Sequence, residues 1–114
     1  MSEVTDQLRE ELREKYGEET CIVYRKKHGV FVFRKPSRVV WKKFQVAVQK
    51  TNDRQTCADQ LCMDCLCYPE AEAGKPDFAK LTALFEDYPA ISLDEAFEDL
   101  AKLAMGREDV SGKL

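Results

Sequence analysis

The sequence predicts an α+β fold that is mostly α: an N-terminal helix, one β-hairpin, and then four amphipathic helices packed as a small bundle. Three observations support it: one apolar stretch alternates like a pair of strands, apolar residues elsewhere recur at helical spacing, and prolines separate the helices. With 114 residues, 44% hydrophobic and 34% charged, the chain suits one globular domain. We expect a single domain over 1–114, with a peripheral helix in 1–18, the hairpin and helical core in 19–106, and a flexible tail in 107–114.

A β-hairpin is predicted between Cys21 and Arg34, with its turn at Lys27-His28-Gly29. Because side chains alternate along a strand, each strand divides its apolar residues between two faces, and both faces of the hairpin are apolar. The first strand separates Cys21 and Val23 from Ile22 and Tyr24, and the second separates Val30 and Val32 from Phe31 and Phe33. A lone hairpin is marginal in water, so we expect the protein's own helices to cover one face and more helix, a second copy or a client chain to cover the other.

The first predicted helix runs from Ser2 to Tyr16, with Ser2 or Thr5 as its N-cap and Gly17 just past its end. Its apolar stripe is narrow and consists of Val4, Leu8 and Leu12, helped by Tyr16. Because such a stripe buries little area, we expect this helix to dock weakly or onto another subunit.

The second helix begins after Lys35-Pro36, where the proline ends the extended chain and Ser37 can act as the N-cap. One face of this helix is apolar and comprises Val40, Trp41, Phe44, Ala47 and Val48. A third helix follows the polar link at 51–54 and is predicted to reach Cys67, because a Tyr-Pro step disfavours helix. We expect 69–75 to be a surface loop.

Four of the five cysteines fall within this third helix: Cys57, Cys62, Cys65 and Cys67. The spacing of Cys62 and Cys65 occurs in zinc and redox sites, but a helix turns by ~100° per residue and points the four thiols away from any single ion. We therefore interpret Cys62 and Cys65 as core thiols and expect no metal and no cofactor. An odd number of cysteines also fits a reducing compartment.

Two more helices complete the predicted fold. Pro76 suits the first turn of the fourth helix, which ends at Pro89. The last helix opens with Ser92-Leu-Asp-Glu95, a capping-box pattern in which the side chains of Ser92 and Glu95 each satisfy a free backbone N–H. Gly106 is the expected C-cap of this helix.

The net charge of −3 hides a strong segregation of charge along the chain. Residues 1–20 carry a net charge of −4, residues 21–54 carry +9, and residues 55–114 carry −8. A basic segment between two acidic ones could bind nucleic acid, or it could pair with the acidic parts of its own fold or of a neighbouring subunit. We favour the second alternative because the acidic partner is present in the same chain.

Catalysis has little support in the sequence. No Gly-rich phosphate loop is visible, no Ser or Cys has a plausible neighbouring base, and the single histidine, His28, is expected to be solvated in the hairpin turn. We therefore expect a protein that is not an enzyme. The polar, acidic start differs from a secretory signal, and no stretch approaches the ~20 apolar residues that span a bilayer, so we expect a cytoplasmic protein with no membrane partner.

Several aromatic and proline-containing segments follow one another in a distinctive order: Arg34-Lys-Pro-Ser-Arg38 after the hairpin, a helix with Trp41 and Phe44, then Cys65-Leu-Cys-Tyr68-Pro69 and Phe85-Glu-Asp-Tyr88-Pro89. Over about Cys21 to Met105, this order resembles the small tail assembly chaperones of tailed bacteriophages and related tail-like particles. The N-terminal helix and the dense cysteines depart from that pattern.

The resemblance implies a non-catalytic protein of the bacterial host cytoplasm that binds the long helical tape measure protein, keeps it soluble and recruits tail tube subunits. It also implies absence from the mature particle. A chaperone for a helical client needs an exposed apolar groove, shielded by oligomerisation or charged rims. We therefore expect a homo-oligomer whose partner-contact residues are Tyr24, Phe31, Phe33, Val39 and Trp41, with Arg34, Arg38 and Lys42 as the rim.

A second interpretation is a small nucleic-acid-binding or regulatory protein that uses the basic segment 21–54. Tyr24, Phe31 and Phe33 would then stack on bases, while neighbouring Lys and Arg side chains follow the phosphates. Two strands, however, lack the sheet of the usual single-strand binders, and the acidic C-terminal half would repel a nucleic acid backbone. Nucleic acid is therefore the less favoured partner.

Overall fold

Helices dominate the computed structural model, which describes residues 5–107, 109, 110 and 112. The described helices are α1 (Asp6–Tyr16), α2 (Arg38–Thr51), α3 (Arg54–Cys65), α4 (Phe78–Asp87) and α5 (Phe97–Ala104), and a π-helical turn, Ser92–Ala96, leads into α5. A three-stranded sheet and a two-stranded ribbon accompany them. The prediction of an α+β fold that is mostly α is confirmed.

The larger sheet consists of β1 (Thr20–Arg25), β2 (Gly29–Arg34) and β3 (Leu66–Tyr68), all antiparallel and in the order β1-β2-β3. The predicted hairpin is confirmed, with Ile22 opposite Val32. The third strand was not predicted, and the expectation that helix continues to Cys67 is wrong because α3 ends at Cys65. The extended backbone favoured before Pro69 and the open edge of β2 together draw these residues into the sheet.

The loop predicted for 69–75 is also more regular than expected. Strands β4 (Glu70–Glu72) and β5 (Lys75–Pro76) pair in an antiparallel ribbon. Pro76 therefore lies in a strand and not in the first turn of α4. That helix begins after Asp77, whose carboxylate accepts the backbone N–H of Lys80 at 3.2 Å.

Both apolar faces of the hairpin are closed by the protein's own helices. On one face Cys21, Val23, Phe31 and Phe33 join the main core, which includes residues from α3, α4 and α5 such as Leu61, Leu84 and Leu100. On the other face Ile22 and Val32 pack with Leu12 of α1, and Leu8 and Tyr16 border this smaller cluster. Of the three alternatives predicted for the second face, more helix is the one that the structure shows, because α1 covers it.

Helix α1 docks onto its own hairpin through a small contact, which agrees with the first of the two predicted alternatives, a weak contact. The hairpin face under α1 has two fully buried residues, Ile22 and Val32, and Leu12 is the one fully buried residue of α1. A narrow apolar stripe is therefore wide enough to cover this face. Thr5, one of the two predicted N-caps, caps the helix and Gly17 ends it, while the alternative cap Ser2 and the predicted stripe residue Val4 lie outside the described residues. The hydroxyl of Tyr16 also donates to Glu70 Oε2 at 2.7 Å, which ties α1 to the ribbon.

The capping box predicted at the start of α5 is not formed. Ser92 is buried, its hydroxyl donates to the carboxylate of Asp59, and it accepts from Gln55 Nε2 at 2.9 Å. Glu95 reaches the guanidinium of Arg25 instead of a backbone N–H. The capping pattern fails because the helical backbone already begins at Ile91, so Ser92 lies inside the helix. Gly106 does follow the helix, with a left-handed φ of 76°.

The tail predicted to be flexible packs against the body of the protein where it is described. Val110 is buried in the main core. The carbonyl oxygen of Gly112 accepts the backbone N–H of Ile22, and the N–H of Gly112 donates to the carboxylate of Asp99. The prediction is therefore wrong for these residues, while residues 108, 111, 113 and 114 lie outside the described part of the chain.

Candidate partner-binding surface on α2

Helix α2 starts where the sequence predicts. Pro36 is buried, and the hydroxyl of Ser37 accepts the backbone N–H of Val40 at 3.2 Å, so Ser37 is the N-cap. The helix ends at Asn52, whose left-handed backbone has a φ of 56°. Although α2 has 14 residues and a clear apolar face, none of its side chains is fully buried. It is therefore a peripheral helix.

An aromatic trio attaches α2 to α5. The ring centroids of Trp41 and Phe44 lie 5.3 Å apart, and Phe97 of α5 lies 6.2 Å from Trp41 and 5.2 Å from Phe44. All three rings are only partly buried against the core. The guanidinium of Arg54 stands 5.8 Å from the centroid of Phe97 and partly covers that ring.

The outward side of α2 carries apolar residues as well. Val39 is 78% exposed and Val46 is 42% exposed. Seven residues apart, they lie within ~20° of each other around the helix and form one stripe. Arg38, Lys42 and Lys50 are exposed around that stripe. We call these five residues, together with the half-buried Trp41, the α2 surface.

The α2 surface brings together half of the predicted partner-contact residues: Arg38, Val39, Trp41 and Lys42. The hairpin residues behave differently. Phe31 and Phe33 are 0% and 1% exposed, so their prediction as contact residues on an open face is wrong, because α3, α4 and α5 occupy that face. Tyr24 is half-buried in the sheet, and Arg34, the last residue of β2, donates to the backbone carbonyl of Asp64 at 3.0 Å.

Val46 and Lys50 were not among the predicted contact residues. Their signal in the sequence is the seven-residue spacing from Val39 to Val46, which is weak unless the orientation of α2 on the core is known. Phe97 of α5 and Met105, which follows α5, border this surface. They too were not among the predicted contact residues. Met105 is 65% exposed and lines a cleft with Trp41 and Arg38.

Much of the basic segment is neutralised inside the molecule. Four cations of 21–54 pair with carboxylates of the acidic segments: Arg25 with Glu95 at 2.6 Å, Lys27 with Asp87 at 3.2 Å, Lys35 with Glu19 at 2.9 Å, and Lys43 with Asp64 at 3.2 Å. The prediction of pairing within the same chain is confirmed for these four. Arg38, Lys42 and Lys50 form no ion pair in the described part of the chain, so α2 keeps an unneutralised positive potential.

His28 was predicted to be solvated, and this prediction is wrong. Its side chain is only 13% exposed and Nε2 lies 2.6 Å from Asp87 Oδ2, while its ring meets Tyr88 edge-on at 6.0 Å. The hydrogen bond from His28, followed by that from Lys27, holds the pKa of Asp87 below its usual value. The hairpin turn is thereby fixed to the end of α4, and these polar contacts already have partners.

The cysteine thiols lie in the core, as the helical spacing predicted for Cys62 and Cys65. Both side chains are 0% exposed, and all five cysteines are free. Burial raises the pKa of Cys65 to about 12 and also raises the pKa of Cys21 and Cys62. Among the described residues, no group of three or more His, Cys, Asp or Glu side chains is placed to hold a metal ion.

A cleft of about 260 Å³ runs between α2 and α3. Phe44, Ala47, Cys57 and Leu61 contribute its apolar part. Its polar rim is already engaged internally: Lys43 with Asp64, Gln60 with Asp64, and Asp53 with the N-terminus of α3. The cleft therefore offers apolar contact and few free polar groups.

No described helix combines the length and the apolar character needed to cross a bilayer. Comparison of the chain with protein families, with curated proteins and with solved structures gave no match.

Proposed function

We propose that this protein is a non-catalytic tail assembly chaperone that binds the tape measure protein, keeps it soluble and recruits tail tube subunits during tail assembly. It acts in the bacterial host cytoplasm and leaves before the particle is complete. The resemblance of the segments around Arg34–Arg38, Cys65–Pro69 and Phe85–Pro89 suggests this role. The client contact is the α2 surface.

The observation that carries the proposal is the incomplete burial of α2. A helix normally gains its stability from packing an apolar face onto the core, yet α2 buries no side chain fully and also exposes Val39 and Val46 on its other side. Exposed apolar residues grouped on one element and bordered by charge are typical of a protein-binding surface.

The shape of this surface suits a helical client. Val39 and Val46 stand two turns apart on a straight helix, about 10 Å along its axis, which matches the seven-residue repeat with which helices pack side by side. Trp41 lies ~160° round the helix from Val39, beside Phe97 and near Met105, and so only borders this contact. A long amphipathic helix laid along the outward side of α2 would cover Val39 and Val46 in succession.

The homo-oligomer was predicted because one apolar face of the hairpin was expected to need a cover. That argument no longer holds, since both faces are closed within one chain. The proposal does not depend on it. Nucleic acid binding through stacked aromatics is also not favoured, since Phe31 and Phe33 are buried and four cations of the basic segment have carboxylate partners.

The test is co-expression of this chain with fragments of the longest helix-rich open reading frame beside its own gene. We expect a soluble, nuclease-resistant complex, and we expect the double variant Val39→Asp/Val46→Asp to lose the complex while keeping its thermal unfolding temperature. Both valines are exposed, so carboxylates there cost the fold little and the client contact much.

The matched control is Phe78→Asp, because Phe78 is 46% exposed but lies at the start of α4, outside the α2 surface. This variant should bind as the wild type does. The proposal fails if the fragments stay insoluble beside the wild-type chain, or if both variants bind equally well.

A further inference from the structure

We infer that the helix docking on the α2 surface is acidic along its edges, so that its carboxylates pair with Arg38, Lys42 and Lys50. This inference rests on the proposed function and adds the chemistry of the partner. Its evidence is that these three cations have no carboxylate partner in the described part of the chain and share one helix with the exposed Val39 and Val46.

The protein neutralises part of its basic segment. Arg25, Lys27, Lys35 and Lys43 each lie within 2.6–3.2 Å of a carboxylate of their own chain. Arg38, Lys42 and Lys50 form no such pair in the described part of the chain, although the molecule is acidic overall with a net charge of −3. Lys26, Arg34 and Arg54 also lack a carboxylate partner there, so three of the six cations without one lie on the helix that exposes Val39 and Val46.

Placing these cations together costs α2 some stability. Arg38 and Lys42 are four residues apart, where like charges repel on a helix, and the first turn of α2 contains no acidic residue to offset them. A row of carboxylates on a partner would relieve this repulsion. The charge pattern of α2 therefore fits a bound state better than the free state.

The exposed valines favour an acidic helical peptide over other polyanions as the partner. On a helical projection Lys50 and Lys42 flank the Val39–Val46 stripe, with Arg38 farther round on the Lys42 side. A polypeptide with apolar residues in its centre and carboxylates at its edges satisfies both features at once, as the aliphatic stems of lysine also cover apolar surface. A nucleic acid backbone would pair with the cations but leave the valines uncovered.

The experiment compares two synthetic amphipathic peptides about three heptads long, with one apolar face and with Glu or Lys at the flanking positions. Binding is followed by calorimetry and by the fluorescence of Trp41, the single tryptophan. We expect the Glu peptide to bind at least about tenfold more tightly at low salt, as several exposed charge pairs together allow. This advantage should shrink as salt is added.

Charge reversal gives the decisive variant. Arg38→Glu/Lys42→Glu should reverse the preference toward the Lys peptide, whereas Lys26→Glu should not, because Lys26 is an exposed cation in the hairpin turn and not on α2.

Equal binding of both peptides, or an unchanged preference in the reversed variant, overturns the inference but leaves helix binding intact. Binding of neither peptide overturns the proposed surface itself. A single-stranded oligonucleotide that displaces the Glu peptide and binds more tightly than it would also overturn the inference.

Discussion

The backbone N–H of Ile22 donates a 2.6 Å hydrogen bond to the carbonyl oxygen of Gly112. Ile22 lies in β1, an edge strand of the three-stranded sheet, so this bond places the C-terminal segment, which is described at Asp109, Val110 and Gly112, against an edge that could otherwise pair with another chain. The N–H of Gly112 donates in turn to Asp99 Oδ2 at 3.0 Å. The segment is therefore part of the fold.

Gly112→Ala should release this segment. A Cβ at position 112 would lie 2.4 Å from the carbonyl oxygen of Ile22 and 3.0 Å from Asp99 Oδ2, so the backbone must move away and the hydrogen bonds are lost. We expect a loss of about 1 kcal/mol in unfolding free energy and faster hydrogen exchange at the Ile22 amide. The amides of the central strand β2 serve as the internal control. Unchanged exchange at Ile22 would show that the segment does not hold the edge.

Leu12→Ala tests whether α1 covers its own hairpin. Leu12 is 4% exposed and packs with Ile22 and Val32, so its truncation should cost about 2 kcal/mol in urea unfolding, near the low end for a buried leucine because the cluster is small. Glu11→Ala, at an exposed neighbouring position, should leave the midpoint unchanged. If Leu12→Ala is neutral in dilute monomer, α1 does not pack there.

Acid stability should depend on Asp87. Its pKa is lowered by hydrogen bonds from His28 and Lys27, so the unfolded chain binds a proton at this site at a higher pH than the folded protein does. The stabilisation is complete above the pKa of Asp in the unfolded chain, which is about 3.9, and it is lost as the pH falls through the lower pKa of the folded protein. Asp87→Asn should therefore reduce stability at neutral pH and flatten the loss of stability below about pH 4.

The control for Asp87 is Glu86→Gln. Glu86 is exposed and forms no ion pair among the described residues, so this variant should follow the wild-type curve when urea midpoints are measured from neutral to acidic pH. Parallel curves for the wild type and Asp87→Asn would mean that the contact with His28 does not form in solution.

The sequence was a good guide wherever local signals decide the structure. The hairpin, the caps at Thr5 and Ser37, and the helical positions of Cys62 and Cys65 follow from alternation, capping chemistry and periodicity, which act over a few residues. The failures share a different cause. Leu66–Tyr68 became a strand and Ser92 an interior helix residue because distant partners, the edge of β2 and Asp59, competed successfully with local preference.

The candidate site was predictable only in part for the same reason. Arg38, Val39, Trp41 and Lys42 follow from their helix and its charge, whereas Phe31 and Phe33 were predicted as contacts because nothing local indicates that the packing of other helices buries that face. Nor could composition show which cations of the basic segment find carboxylates, since Glu95 and Asp87 are distant from Arg25 and Lys27 in sequence. The α2 surface emerged once those pairs were known.

Thiol reactivity tests the assignment of the cysteines to the core. Thiolate is the reactive form, and burial keeps the thiols protonated by raising the pKa of Cys65 to about 12 and the pKa of Cys21 and Cys62 as well. Burial raises the pKa of Cys67 as well, but Cys67 alone is half-buried while Cys57 is buried, so access to the reagent sets Cys67 apart. We therefore expect at most one thiol of the folded protein to react rapidly with a disulfide reagent at mildly alkaline pH, and all five after unfolding.

Cys67→Ser identifies that thiol, because it should remove the rapid phase and leave four thiols that react only at the rate of unfolding or local opening. Cys57→Ser is the matched variant at a buried position in α3, and it should leave the rapid phase intact. Two or more rapid thiols in the native protein would mean that α3 does not hold its cysteines against the sheet, and the packing of the main core would then need a different account.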